Sequence, residues 1–228
     1  MKKIVTKAIV LKRINYAEAD RIITVITPDN GKRVLIAKGV RKPKSKLAGG
    51  IELLSECEIS YMEGRGDMDT LASTRLISHY KNIMHDLDRS SVIYELLKRI
   101  DKVSEQPSGN ELYDLALHAM MYLDDLTIHA QVVKTWATMQ LLLILGEQPN
   151  LQKDIHGDNF DEKAMYSFDI ENGGFMISAT GQYDPNVIKF LRLAMTHSPK
   201  FLMSVTNVDD LSGNTASILE SLYRFHRN

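Results

Sequence analysis

A single cysteine, Cys57, stands among 228 residues. No intrachain disulfide can form, and one thiol suits a reducing cytosol. Long apolar runs are missing too. The most apolar tract, Met139 to Leu145, is far too short to cross a bilayer, so no membrane contact is expected. The opening MKKIVTKAIVLKR lacks a sustained apolar core and a small-residue cleavage site, so no signal peptide is expected. Neither GxxxxGK followed by Ser or Thr nor GxGxxG occurs, and there is no GxSxG elbow and no HExxH pair. The familiar signatures of nucleotide hydrolysis, dinucleotide binding, serine hydrolysis and zinc proteolysis are therefore absent. No catalytic residue, metal or cofactor is assigned, and the chain reads as a non-enzyme.

Two groups come nearest to chemistry. Asp154, His156, Asp158 and Asp161 crowd one segment. As a calcium loop it would place Asn159 where the turn needs Gly and Met165 where a bidentate Glu belongs. Solvated loop polarity accounts for it better. Cys57 falls in the alternation Ile51, Leu53, Ser55, Cys57, Ile59, Tyr61, opposite Glu52, Glu56 and Glu58. That spacing makes it a buried strand residue rather than a nucleophile. Met120, Met121, Trp136 and Met139 fall at core spacing, which favours packing over a cofactor pocket.

Acidic residues are absent from Lys32 to Gly50, KRVLIAKGVRKPKSKLAGG, which carries Lys32, Arg33, Lys38, Arg41, Lys42, Lys44 and Lys46. Most charge runs are solvated faces, yet this chain has a net charge of only −1. Residues 1–50 hold thirteen Lys/Arg against three Asp/Glu, a net of +10, and the remainder stands at −11. Positive charge is placed rather than general, which suggests a polyanion-binding front joined to an acidic body with another task.

Residues 3–79 read as strands. Lys3–Ile14 and Ile22–Thr27 are rich in Val, Ile and Thr, with PDNG (28–31) as a turn. Lys32–Lys38, Ile51–Met62 and Met68–Ser78 follow, with EGRGD (63–67) as the last turn. The alternation puts Lys32, Val34, Ile36 and Lys38 on one side of the third strand, Arg33 and Leu35 on the other. Five strands with a long loop after the third fit a small OB-type barrel, and an SH3-like barrel gives a similar string. After Tyr80 the period becomes helical: Val92, Ile93, Leu96, Leu97, Ile100 and Val103 form one stripe. Ser108 and Glu111 form a capping box opening a helix through Leu123. Ile128–Leu145, apolar on most of its circumference, should lie at the centre of a bundle. Residues 147–182 read as irregular, and further helices are expected after Asp184-Pro185 and over roughly 214–227. The expected architecture is α+β. A five-stranded OB-type domain spans 1–79, and a mostly helical domain spans 80–228 with an insertion at about 147–182.

The AIVLK strand, the Tyr16-x-Glu18-x-Asp20 turn, the Thr27-Pro28-x-x-Gly31 hairpin and AKGVRKPKS (37–45) follow one another in this order over some fifty residues. The string resembles the amino-terminal half of RecO, the bacterial recombination mediator. The similarity continues more faintly through LLLILGEQPNL (141–151) and FDIENGGFMI (168–177). The resemblance implies an OB-fold, a helical carboxy-terminal domain and a zinc-finger-like insertion. It further implies binding of single- and double-stranded DNA and annealing of complementary strands. With RecR, such proteins assist RecA loading onto DNA coated by single-stranded-DNA-binding protein, in the cytoplasm at the nucleoid. The DNA-binding face would map onto Arg33, Lys38, Arg41, Lys42, Lys44, Lys46 and Lys32. One departure is plain. Where many relatives carry two CxxC pairs, this chain has Lys153 and His156, then Ile177 and Thr180. These groups cannot build a tetrahedral thiolate site, and packing of Phe160, Phe168, Phe175 and Met176 is expected to replace it. Without the resemblance, an RNA-binding or ribosome-associated OB protein would use the same basic loop.

Overall fold

β-Branched residues dominate the first strands, as a pleated and half-buried surface favours. In a computed structural model, which describes residues 2–64, 66, 68–104 and 110–227, β1 spans Lys3–Tyr16, β2 Asp20–Thr27 and β3 Gly31–Ala37. Ser55–Met62 is β4 and Asp69–His79 is β5. They close into a barrel in the order β1-β2-β3-β5-β4. Neighbours are antiparallel except β3 and β5, which pair in parallel at Leu35↔Asp69 and Ile36↔Thr70. This is the OB-type barrel that the strand spacing predicted.

The alternation of each strand decides what fills it. Ala8, Val10, Ile23, Val25, Leu35, Ala37, Cys57, Ile59 and Tyr61 form one buried cluster. Val40 and Ile51, from the long loop after β3, join that cluster, and Leu47 and Leu53 pack against it. The fourth strand was expected from Ile51 but begins at Ser55. Leu54 adopts a φ of 58°, which breaks extended structure, so Ile51 and Leu54 reach the interior from a turn instead.

The chain divides into two compact units, Met1–Asp124 and Asp125–Asn228. The first unit holds α1 (Lys81–Met84), α2 (Leu87–Val103) and α3 (Glu111–Asp124) together with the barrel. The sequence change from strands to helices lies at 79/80; the division between units falls after α3. Ser108 of the expected capping box lies outside the described residues, as do Arg65 and Asp67 of the EGRGD turn. α2 and α3 pack on β1, and α3 also on β2. A polar contact fixes this docking: the Tyr113 hydroxyl donates to Glu56 Oε1 at 2.8 Å, and Lys7 Nζ lies 3.2 Å from the same oxygen. Burial, then the adjacent carboxylate, pushes the Tyr113 hydroxyl far above its ordinary pKa, so it stays a donor.

In the second unit, α4 (Ala130–Leu145) packs against α5 (Pro185–Thr196), α6 (Pro199–Leu202) and α7 (Val208–Phe225). It ends at Gly146, whose φ of 72° suits only glycine comfortably. The central-helix expectation holds: Val132, Val133, Trp136, Met139, Leu141 and Leu142 are buried. Met121, read as core, is instead exposed, because it falls on the outer side of α3 from Met120. α7 starts at Val208, six residues before the expected 214. The 147–182 segment, read as irregular, contains a hairpin of β6 (Tyr166–Asp169) and β7 (Gly174–Ile177). Strands of four residues are too short to show a period. An aromatic cluster holds this hairpin, with Phe175 meeting Phe168, Phe160 and Tyr183 edge-on at 5.1, 6.3 and 6.0 Å. Arg192 lies over Phe160 at 5.4 Å. Met176, expected in this packing, pairs across to Ser167 and so points to the other face of the hairpin.

Cys57 is fully buried, its Sγ 3.4 Å from the Ala8 carbonyl oxygen. Burial pushes the thiol up to about 12. The stability carried by the neutral thiol is intact below about pH 9 and is lost as the pH climbs toward 12. In the native protein at pH 8, Cys57 should resist a disulfide-exchange reagent and react stoichiometrically once denaturant unfolds the barrel. Rapid native labelling would contradict the burial.

Candidate nucleic-acid interface

The basic run leaves β3 at Ala37 and crosses to the 3₁₀ turn Ala48–Gly50. Its apolar residues point inward and its cations outward. Val40 is buried and Leu47 packs on the core, whereas Lys38, Arg41, Lys42, Lys44 and Lys46 are exposed. Burying Val40 contributes about 1.5–3 kcal/mol and the partly buried Leu47 adds less, so the backbone is held while the charges remain in water.

Hydrogen bonds pin the run at both ends. At its start, the Gly39 N–H donates to Asp20 Oδ1 at 2.6 Å, with Gly39 at a φ of 64°. The Arg41 N–H donates to the Ala19 carbonyl at 2.9 Å, and its Nη1 reaches the Ala17 carbonyl at 3.3 Å. Internal turns close from Lys42 N to Gly39 O and from Ser45 N to Lys42 O. At its end, Thr74 Oγ1 donates to the Gly50 carbonyl at 2.7 Å. A Cβ at Gly50 would lie 2.1 Å from Thr74 Oγ1, so only glycine permits this approach to β5.

The seven candidate cations do not form one set. Lys32 Nζ pairs with Asp101 Oδ1 at 2.7 Å and donates to the Asp101 carbonyl at 2.6 Å, joining β3 to α2. Arg33 points into the barrel, its Nη1 3.9 Å from Asp69 Oδ2. Lys38 lies six residues beyond Lys32, roughly 20 Å along the chain. Lys38, Arg41, Lys42, Lys44 and Lys46 are brought together on the loop and pair with no carboxylate among the described residues. Some cations elsewhere in the first unit are paired: Lys7 with Glu56, Arg13 with Glu52 and Arg75 with Glu58. Sequence reasoning missed the pins Asp20 and Thr74. Asp20 sits in the Tyr16-x-Glu18-x-Asp20 string, which was a usable signal; Thr74 had none.

Away from the basic loop, one cleft and the 154–161 segment carry structural polarity. A cleft of about 700 Å³ in the second unit is lined by Asp184, Lys189, Phe190 and Asp210 among others. Asp184 caps α5, and Lys189 pairs with Glu162 at 3.2 Å. In the 154–161 segment, Asp154 Oδ1 accepts the N–H groups of His156 and Asp158 at 2.9 and 2.8 Å. Its carboxylate organises a turn. Among the described residues, no three His, Cys, Asp or Glu side chains are grouped to hold a metal. No helix among them is long and apolar enough to cross a membrane.

The family described as "Recombination protein O N terminal" matches residues 1–80, the barrel and its basic loop. A DNA repair protein RecO from Acetivibrio thermocellus is 31% identical over 186 residues, covering 81% of this chain and 73% of that relative. The chain belongs to the RecO family. Another RecO, from Dehalococcoides mccartyi, is 32% identical over 149 residues, 65% of this chain. The match spans 58% of that relative's length. The RecO of Halalkalibacterium halodurans is 24% identical over 184 residues, or 80% of this chain. The RecO barrel is thus the part that both the family profile and the geometry single out.

The Asp20 pin generates a prediction. Asp20→Ala leaves Gly39 N–H without its charged acceptor and should cost about 1.5–3 kcal/mol in urea unfolding. Tryptic cleavage after Arg41, Lys44 and Lys46 should become faster. Unchanged cleavage and stability would show that burial of Val40 and Leu47 suffices to hold the loop.

Proposed function

We propose that this RecO-family chain is a non-enzymatic mediator of DNA repair and recombination that binds single- and double-stranded DNA through the 38–46 loop. The observation that carries the reading is the set of five exposed cations, paired with no carboxylate among the described residues, on a loop whose backbone is pinned to the barrel. Each Lys or Arg that neutralises a phosphate releases condensed counterions, giving affinity without sequence readout. Lys38, Arg41, Lys42, Lys44 and Lys46 are the core of the site. Arg33 and Lys32, engaged with Asp69 and Asp101, act at its margin and chiefly hold β3 in place.

A sequence-blind cationic surface suits strand annealing, where either strand must be held and released without dedicated base pockets. In the full reading the chain anneals complementary strands. With RecR it assists RecA loading onto DNA coated by single-stranded-DNA-binding protein, at the nucleoid in the cytoplasm. The acidic remainder of the chain repels phosphate and is suited to protein contacts, which is where RecR and single-stranded-DNA-binding protein enter the proposal.

Titration of a labelled oligonucleotide across a salt series tests the site. If four or five loop cations touch phosphates, log K should fall against log salt with a slope of roughly −3 to −5. Replacing Lys38, Arg41, Lys42 and Lys44 together by Glu should abolish that binding. Equal binding by the variant would place the site elsewhere, and a preference for RNA in direct competition would favour an RNA-binding role. Annealing of complementary oligonucleotides coated with single-stranded-DNA-binding protein, with and without RecR, tests the mediator role itself.

A further inference from the structure

The barrel wall beside the basic loop carries an apolar face with one ring on it. Ile23, Val25, Leu35 and Ala37 are inside, so their neighbours in the alternation point out. Two outward residues, Ile9 and its cross-strand partner Ile26, are fully buried where α2 and α3 pack on β1 and β2. Farther along the same wall the cover ends. Ile14 pairs with Ile22, and Ile22 with Ile36, making a cross-strand apolar row. Ile14 is 49% exposed, and Ile22 and Ile36 are partly exposed.

Tyr16 is the next outward residue of β1 and is also 49% exposed. It pairs with Asp20, whose carboxylate takes the Gly39 N–H and so starts the basic loop. Ala17, which follows Tyr16, turns the chain at a φ of 47°, and its carbonyl receives Arg41 Nη1. The ring therefore stands where the apolar row meets the cations. Residues 1–79 contain only one other aromatic residue of the Phe, Trp and Tyr set, Tyr61, which is fully buried.

We propose that Tyr16 is a stacking platform for one unpaired base of a DNA strand whose phosphates lie along Lys38–Lys46, with Ile14, Ile22 and Ile36 as the apolar floor beside it. This rests on the DNA-binding reading above and extends it. Phosphate contacts are available on any form of DNA. A ring, however, can stack only on a base whose face is uncovered, and in a duplex neighbouring pairs cover those faces. The cations therefore set overall affinity, and Tyr16 gives the surface its preference for single strands. That preference would also disfavour holding the annealed product, releasing the duplex once it forms.

The test uses the full chain, with oligothymidylate and a duplex of equal length as probes. Tyr16→Ala should weaken single-strand binding roughly 5- to 150-fold. Its duplex affinity should stay within about twofold of wild type, and its salt slope should not change, because no phosphate contact is removed. Tyr16→Phe and Tyr16→Trp keep a ring and should bind the single strand at least about as tightly as wild type. Unchanged single-strand affinity in Tyr16→Ala, equal losses on both probes, or loss in Tyr16→Trp would each overturn the proposal. The Lys38/Arg41/Lys42/Lys44→Glu variant separates the two failures. If it loses both probes while Tyr16→Ala loses neither, only the stacking role falls; if it keeps both, the loop itself is not the site.

Discussion

The exposed cations of this protein depend on the burial of their apolar neighbours. Five like charges on one short loop repel each other and favour an extended, solvated chain. Val40, Leu47 and Ile51 resist that by reaching the barrel interior, while Asp20 and Thr74 tie the backbone at the two ends. Sites held in one geometry lose less entropy when a ligand binds. The loop is thus part of the barrel's core on one side and a cationic surface on the other.

The same barrel treats several of its other cations differently. Lys7, Arg13, Arg75 and Lys32 are each matched to a carboxylate, and Lys7 and Lys32 link strands to strands or helices. Glu56 is the sharpest case, because a buried carboxylate is costly without partners. Lys7 and the Tyr113 hydroxyl supply them and lock α3 to β4. Pairing therefore sets Lys7, Arg13 and Lys32 apart from the cations of the 38–46 loop. The hairpin at 166–177 is held by aromatic packing. Phe175 sits among Phe160, Phe168 and Tyr183, and edge-to-face contacts give the short strands a core.

Much of the fold was legible in the order of residues. The Val-, Ile- and Thr-rich runs of β1 and β2, the alternation of β3, the PDNG turn and the three- and four-residue stripe of α2 are local patterns, and each formed the element it predicted. What misled was also local. Ile51 and Leu53 continue the alternation of β4, but the alternation records which side chains are buried, not that the chain is extended, and Leu54 turns there. β6 and β7 were invisible because four residues hold too little period and their pairing partner lies across a turn.

Composition by itself determined the kind of surface: a basic front without acidic residues from Lys32 to Gly50, one thiol, and no motif for the commoner catalytic chemistries. The string around AKGVRKPKS added a resemblance to the family. Only the tertiary structure decided which cations are free. Lys32 and Lys38 look equivalent in the sequence, yet Asp101, sixty-nine residues away, takes the first and leaves the second in water. It likewise decided that Tyr61 is inside and Tyr16 outside, because the face a strand residue presents depends on how the sheet closes and on what packs against its wall. Charge and hydrophobicity are properties of residues and can be read along the chain. Whether a charge is matched or a ring covered is a property of pairs, and the chain brings those pairs together only when it folds.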